Sequence, residues 1–255
     1  MNKHRVSVVI PTFNRAELLG RALDSVLQQI DPVHEVIVVD DGSSDGTPEI
    51  VRSYMARDAR VRYIRQNRAG APAARNLGIA AASGTLIAFQ DSDDVWDLNF
   101  TSSLLPYHDR PGVIAFSSMC TVQLGGSRVI QFKSQLSDVE DMLCRRNCIS
   151  TQTVLMDRRL LSTHRFDPNL PRLQDWDLWL GLLGKATFVH HAEPLVHQYL
   201  QTDSITAGSD NLYRALRVIT RKHWRCLMLH PALFGRYWLA ARVNLMWSAF
   251  RGQSQ

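Results

Sequence analysis

The sequence predicts an α/β protein with a mostly parallel central sheet and helices on both faces. Three observations carry this. Residues 6–96 alternate short apolar runs with segments of helical spacing. Polar loops follow the first, second and fourth of those runs, at the strand ends where open α/β sheets bind ligands. A length of 255 residues, 45% hydrophobic and 21% charged, suits one large domain, or one with an appendage, burying a real core.

Val6–Ile10 is an apolar run halted by Pro11 and predicts a buried strand. Pro11–Arg15 is a loop. Leu18, Leu19, Ala22, Leu23, Val26 and Leu27 give the stretch from Ala16 to Gln29 a helical period, with Asn14 as N-cap. Glu35–Asp40 is the second strand, and Asp41–Thr47 a loop whose glycines permit tight turns. Thr47 caps a helix that has Pro48 at its first position and runs to about Arg57. Val61–Ile64 is the third strand, Asn67–Pro72 a loop and Ala73–Ala82 a helix broken by Gly84. Thr85–Phe89 is the fourth strand.

That strand runs into three carboxylates within four positions, Asp91, Asp93 and Asp94. Like charges repel there, and each carboxylate needs water or a cation. A hard divalent ion with oxygen ligands, Mg²⁺ or Mn²⁺, relieves the repulsion and commonly binds a substrate phosphate as well. The plainer interpretation is a solvated loop that caps the next helix through Asp97 and Asn99. No Gly-x-Gly-x-x-Gly follows the first strand, which disfavours a dehydrogenase-type dinucleotide fold.

The second half is less regular. Val113–Met119 and Val129–Phe132 predict strands around a Gly125-Gly126 turn, and Cys148–Met156 another strand before a short helix through Leu161. Leu173–Leu180 opens a helix with Asp175 near its amino end, and Ala186–Val189 predicts a last strand. Two helices, Tyr213–Leu229 and Leu233–Phe250, are split by His230-Pro231.

The net charge of +5 is unevenly placed. Residues 211–255 hold eight Arg or Lys and no acid, whereas residues 1–210 hold 21 basic and 24 acidic residues, a net of −3. This basic, aromatic extension either packs on the body or contacts an anionic membrane face. Nucleic acid is not expected as a partner, because no recognition motif accompanies the charge. No apolar run approaches ~18 residues, so no spanning helix is predicted. Met1–Arg5 lacks a signal-peptide core. Cys120, Cys144, Cys148 and Cys226 lack metal-site spacing, and buried, reduced thiols in a cytoplasmic protein are expected.

Five motifs occur in order: Val8-Val-Ile-Pro-Thr-Phe-Asn-Arg15, Val38-Val-Asp-Asp-Gly-Ser-Ser-Asp-Gly-Thr47, Ala74-Arg-Asn-Leu-Gly78, Phe89-Gln-Asp-Ser-Asp-Asp94 and Gln174-Asp-Trp-Asp-Leu-Trp179. Together they resemble the family-2 glycosyltransferases of GT-A fold, over about residues 5–206. The resemblance implies a GT-A domain over residues 1–210, with a nucleotide-binding half to about residue 96 and an acceptor-side half over 97–210, followed by the extension 211–255. It implies an inverting, non-processive transfer of one sugar from a nucleotide-diphosphate donor to a glycan or lipid-linked acceptor, dependent on Mn²⁺ or Mg²⁺. The setting it implies is cell-surface polysaccharide or glycolipid synthesis, at the cytoplasmic side of the membrane.

Carried over residue by residue, Pro11 and Thr12 line the nucleotide pocket with Asn14 and Arg15 beyond them. Asp41, with Asp40 beside it, accepts from a base N–H, which suits uracil or thymine. Arg75 reaches the base or the diphosphate. Asp91, Ser92 and Asp93 hold ribose and metal, and Asp94 is a further metal ligand or a sugar contact. Asp175 stands where inverting members carry the general base. Trp96, Gln174 and Trp176 are acceptor-side candidates; Trp176 and Trp179 could stack on a sugar, with core packing the competing role for these two at helical spacing.

The pattern also departs from the family. Gln174 stands for the usual Glu, Gly181 for an Arg, and Tyr199 and Gln201 for an Arg and a His of the closing segment. His190, His191 or His197 would have to replace that His as a metal ligand, against the plainer role of a structural His. The departures keep open a catalytically decayed protein that binds sugar nucleotide or glycan without turnover. A nucleotidyltransferase would need a Gly-rich basic loop after the first strand, which Pro11–Arg15 is not. A processive synthase would need membrane spans and Gln-x-x-Arg-Trp.

Overall fold

Continuous apolar runs suit strands covered on both faces, and the first two strands have every residue buried. The computed structural model describes residues 4–122, 128–130, 138–199 and 209–227. In chain order the elements are β1 (Val6–Thr12), α1 (Leu19–Leu27), β2 (Glu35–Asp40), α2 (Thr47–Arg57), β3 (Val61–Arg65), α3 (Ala71–Ala81), β4 (Leu86–Phe89), β5 (Val95–Trp96) and α4 (Phe100–Leu104). There follow β6 (Val113–Val122), β7 (Arg128–Ile130), α5 (Val139–Arg145), β8 (Val154–Asp157), α6 (Gln174–Leu182), β9 (Thr187–Tyr199) and α7 (Ser209–Leu227).

The strands form one sheet in the order β3-β2-β1-β4-β8-β6-β9-β5, with β7 on β6. The strands β3, β2, β1 and β4 are all parallel. Beyond them the sheet is mixed: β8 is antiparallel to both β4 and β6, β9 runs parallel to β6, and β5 antiparallel to β9. The two-residue period of β1 divides the core. Val9 faces a cluster with residues of α3, α5, α6 and α7, whereas Val8 and Ile10 face one with residues of α1, α2 and α4.

Gly78 sets how closely α3 lies on β1. A Cβ there would stand 2.3 Å from Val9 Cγ1, so only glycine permits the approach. That contact fixes the height of Arg75, one turn earlier, above the ends of the strands.

Several sequence expectations are corrected. The first helix starts at Leu19, because Asn14 adopts a left-handed backbone (φ 51°) and its side chain accepts from Ser44 N instead of capping the helix. Thr47 is the first residue of α2; Asp45 accepts from its N–H and hydroxyl. The strand placed over Cys148–Met156 begins only at Val154, after a 3-10 turn at Thr151–Thr153. The Gly125-Gly126 turn, Gln201 and the Leu233–Phe250 helix lie outside the described residues.

The expectation of four reduced cysteines fails. Cys144 of α5 and Cys226 of α7 form a disulfide, and Cys120 and Cys148 remain as buried thiols. α7 therefore packs on the body. Ala215, Leu216, Ile219 and Leu227 are buried. Its backbone departs from helical geometry at His223, where Lys222 and His223 both bond to the buried Asp177 of α6 at 2.9 Å.

Candidate functional site

The acidic loop between β4 and β5 is a tight turn, closed by Asp94 N donating to Asp91 O and by the buried Gln90 Nε2 donating to Asp94 O. β5 then pairs with β9 through Val95–His197 and Trp96–Val196, which brings Tyr199 beside the turn. The three carboxylates point different ways. Asp91 pairs with Arg75 Nη2 at 2.7 Å. Asp93 has only a loose partner, Arg15 Nε at 3.7 Å, while its backbone oxygen accepts from Arg21 Nη2 at 2.7 Å. Asp94 turns inward, where its oxygens accept from Gln152 Nε2 (3.0 Å) and Tyr199 N (3.1 Å).

The electrostatics follow from this placement. Burial first, then the charges of Asp91 and Asp93, pushes Asp94 up to about 8. Burial and Asp91 also raise Asp93, against the pull of Arg15. Asp94 is 2% exposed and each of its oxygens accepts one hydrogen bond, so it anchors the turn from the inside. Ser92 is buried beside it.

The loops after β1 and β2 are laced together. Asn14 N donates to Ser43 Oγ, and Arg15 N to Thr47 Oγ1. Pro11 is buried. Thr12 Oγ1 is buried without a hydrogen-bond partner, an unused acceptor and donor at the carboxyl end of β1. Asp40 is fully buried, with Ser43 N on one oxygen and the Tyr63 hydroxyl on the other. It braces the loop, and its predicted contact with a nucleotide is withdrawn. Asp41 Oδ1 accepts from Gln66 Nε2 and Ala69 N, and Oδ2 from Gly70 N, which leaves one acceptor site on Oδ2 for a further N–H.

Asp175 opens α6, half-buried. Burial lifts its carboxyl above the usual range, opposed by donation from Asn147 Nδ2 at 2.9 Å, by Trp176 N and by the charge of Arg75. Arg75 thus pairs with Asp91 and acts electrostatically on Asp175, joining the acidic loop to the candidate base. Gln174 donates to Leu170 O and stays partly exposed beside them. Trp96 and Trp176 are each 2% exposed, which overturns their role as sugar platforms. Trp96 stacks on Phe100 and donates to Gln152 O, and Trp176 donates to Leu143 O. Indoles with that much area to hide are worth more in the core, provided the N–H finds a partner.

Sequence reasoning missed four residues that shape the site. Arg21 bonds the acidic turn, and its guanidinium lies 3.8 Å over the Tyr199 ring. Gln152 holds Asp94, and Asn147 holds Asp175. Arg68 sits 4.0 Å over the Phe13 ring beside Thr12. Only the 3.6-residue register of Arg21 on α1 was visible beforehand; the others are brought in by loops.

The donor set suits a divalent ion in a limited way. Asp93 is a partly exposed, repelled carboxylate whose ion-pair partner among the described residues, Arg15, stands off at 3.7 Å. Among the described residues no group of three His, Cys, Asp or Glu side chains is placed to hold a metal. His190 instead bonds Ser118 Oγ, and His191 bonds the Tyr107 hydroxyl. One or two carboxylates with the substrate phosphates completing the shell are what Mg²⁺ usually receives from a protein.

The sequence matches the model of glycosyl transferase family 2 over residues 7–155. It is 31% identical over 211 residues to the putative teichuronic acid biosynthesis glycosyltransferase TuaG of Bacillus subtilis, covering 81% of this chain and 83% of that protein. It is 28% identical over 218 residues to the GalNAc(5)-diNAcBac-PP-undecaprenol beta-1,3-glucosyltransferase of Campylobacter jejuni, covering 82% and 70%. Staphylococcus aureus TarS 1-349 in complex with UDP-GlcNAc aligns with a TM-score of 0.71 at 20% identity, over 86% of this chain and 66% of that one. The mannosyltransferase PcManGT from Pyrobaculum calidifontis, in complex with GDP-Man and Mn²⁺, aligns at 0.65 and 18% identity, over 96% and 75%. The structural likeness establishes the GT-A fold.

Proposed function

The chain belongs to glycosyl transferase family 2, and from that premise we propose that it moves one sugar from a UDP- or dTDP-sugar to a hydroxyl of a glycan or lipid-linked acceptor, with inversion. The setting is synthesis of a cell-surface polysaccharide or glycolipid, as the names of the TuaG and Campylobacter relatives suggest. The observation that carries the reading is Arg75, paired with Asp91 on one side and acting on Asp175 on the other.

The donor diphosphate lies over the acidic loop, and the acceptor comes from the side of α6. Asp93, with Asp91 near it, would hold a divalent ion, which would supply positive charge at the leaving diphosphate. Asp175 takes the proton of the acceptor hydroxyl as its oxygen bonds to the anomeric carbon. The bond to the diphosphate oxygen breaks on the opposite face, and its electron pair leaves with the nucleotide. Donation from Asn147 and Trp176 N and the charge of Arg75 favour the ionised form of Asp175 against its burial, and Arg75 offers a cation to the anionic leaving group. Pro11 and Thr12, with the unpartnered Thr12 hydroxyl, meet the nucleotide, and Arg15 lies beside its phosphates. UDP-GlcNAc on the TarS structure supports a uridine donor.

Asp175→Asn tests the assignment. Transfer should fall by a factor of about 10³ or more, while nucleotide affinity changes little. Surviving transfer would remove Asp175 as the base. A thermal-shift panel of UDP, dTDP, GDP and CMP, with and without Mn²⁺, on wild type and Asp93→Ala tests donor and metal together. Stabilisation by one uridine or thymidine diphosphate that needs metal and disappears in Asp93→Ala is expected. Tyr199, stacked under Arg21, stands where the family commonly has an Arg, and it favours a second reading as a protein that binds without turnover. Metal-dependent nucleotide binding without transfer to any acceptor would select that reading.

A further inference from the structure

α7 has two faces of opposite character. The inner face is fastened to the body by Cys226–Cys144, by Lys222 and His223 on Asp177, and by Ala215, Leu216 and Ile219 in the core. The outer face carries Arg214, Arg217, Val218, Arg221, Trp224 and Arg225, all exposed. These positions recur at three and four residues, so they form one stripe along the helix.

Val218 is 38% exposed and Trp224 54%. From Asn211 to Leu227 there is no Asp or Glu. Among the described residues no arginine of the stripe has an ion pair. Arg225 lies 5.6 Å over the Trp224 ring and Arg217 5.9 Å over the Tyr213 ring, so each arginine keeps its charge beside an aromatic face. Packing on the body and contacting a membrane are therefore not rival fates for this helix, because different faces serve them.

We propose that the outer face of α7 docks the protein on an anionic phospholipid surface. Charge complementarity selects the occupant: four arginines without an acid match anionic headgroups. The exposed tryptophan and valine in the same stripe fit the boundary of headgroups and acyl chains, where indoles concentrate. Duplex nucleic acid would leave those two apolar side chains without a purpose. The fastening gives the docking a use. Asp177, gripped by α7, is two residues from Asp175, so a membrane-bound α7 holds the acceptor side of the site at a set distance from the bilayer. That use rests on the lipid-linked acceptor of the proposed function, whereas the docking does not.

The test is co-sedimentation of the full chain with vesicles of phosphatidylcholine alone and of phosphatidylcholine with phosphatidylglycerol. Wild type should bind only the anionic vesicles, less so as salt is raised. Replacing Arg214, Arg217, Arg221 and Arg225 by Gln together should weaken partition a hundredfold or more, at roughly fivefold per arginine, with the melting temperature kept. Trp224→Ala should weaken it severalfold. Equal binding to both vesicle types, no binding by the wild type, or undiminished binding by the fourfold variant overturns the proposal. So does tighter binding to a DNA duplex that the same four changes abolish. Transfer to a water-soluble acceptor, measured in parallel, separates the two ideas: transfer without vesicle binding sinks the docking alone, and vesicle binding without transfer sinks the enzymatic reading alone.

Discussion

Asn147 shows how a single side chain tunes the candidate base. Its Nδ2 donates to Asp175, while its own Oδ1 is buried without a partner. A donor to the ionised form lowers a carboxyl pKa and so opposes the desolvation that raises it. Removing the donor leaves the desolvation in place, and the Asp175 pKa rises further. A base that must be ionised then works only at higher pH. Asn147→Ala should therefore move the acidic limb of the kcat/KM profile upward by about one pH unit, the worth of one hydrogen bond to a charge, while the alkaline plateau falls much less. A uniform loss at every pH would mean that Asn147 acts on the fold rather than on the base. The places of Asp91, Asp93 and Asp175 were legible in the sequence, because apolar periodicity locates the strand end and the helix start that carry them, whereas their candidate roles came from the family resemblance. Asn147 was not, because nothing in Arg146-Asn147-Cys148 marks which helix the loop will meet. Trp96 and Trp176 misled for a related reason: a tryptophan beside an acidic motif has the same letters whether it faces a sugar or the core.

At the scale of elements, the sequence was most informative where each strand is covered on both faces. β1, β2 and β4 are mainly apolar and wholly buried, and their ends fell within a residue or two of expectation. It was least informative where long-range pairing decides the structure. Strand β8 is inserted antiparallel between β4 and β6, and no local pattern announces that. The Cys144–Cys226 bridge spans 82 residues of sequence, and its pairing exists only once α7 lies against α5. Closing a loop of that size removes unfolded-state entropy worth at most about 4.5 kcal/mol. Cys226→Ser should lower the urea-unfolding free energy toward that amount, and reduced wild type should match it. An unchanged midpoint would mean that Lys222 and His223 on Asp177 hold α7 unaided. The α3–β1 contact gives a sharper case. Gly78→Ala brings a Cβ within 2.3 Å of Val9 Cγ1, so the helix must lift. A loss of about 1–3 kcal/mol is expected from overpacking, together with weaker nucleotide binding, because Arg75 lifts with it.

Over the whole molecule, two pairs of carboxylates at opposite edges of the sheet are shifted in opposite directions. At the carboxyl end of β4, Asp93 and Asp94 are raised by burial and by the charge of Asp91. Those at the opposite edge are satisfied. Burial alone would raise Glu35, but donation from Ser83, Ser7 and Arg62 outweighs it and holds the carboxyl at about 2 against an ordinary 4.5. Asp157, accepting from Arg159 and from Gly112 N, likewise sits at about 2 against its burial. Groups whose folded pKa is depressed stabilise the fold fully above their unfolded values, and that contribution is lost as pH falls through the folded ones. The window is therefore about pH 4.5 to 2, and the gap at Glu35 corresponds to about 3 kcal/mol. Glu35→Gln should unfold at lower urea than wild type at pH 7, and the two midpoints should converge as pH approaches 2. Asp157→Asn should behave alike with a smaller gap. Midpoints that stay equally far apart at every pH would show that Glu35 acts by packing and hydrogen bonding alone, and that the acid stability of the sheet edge resides elsewhere.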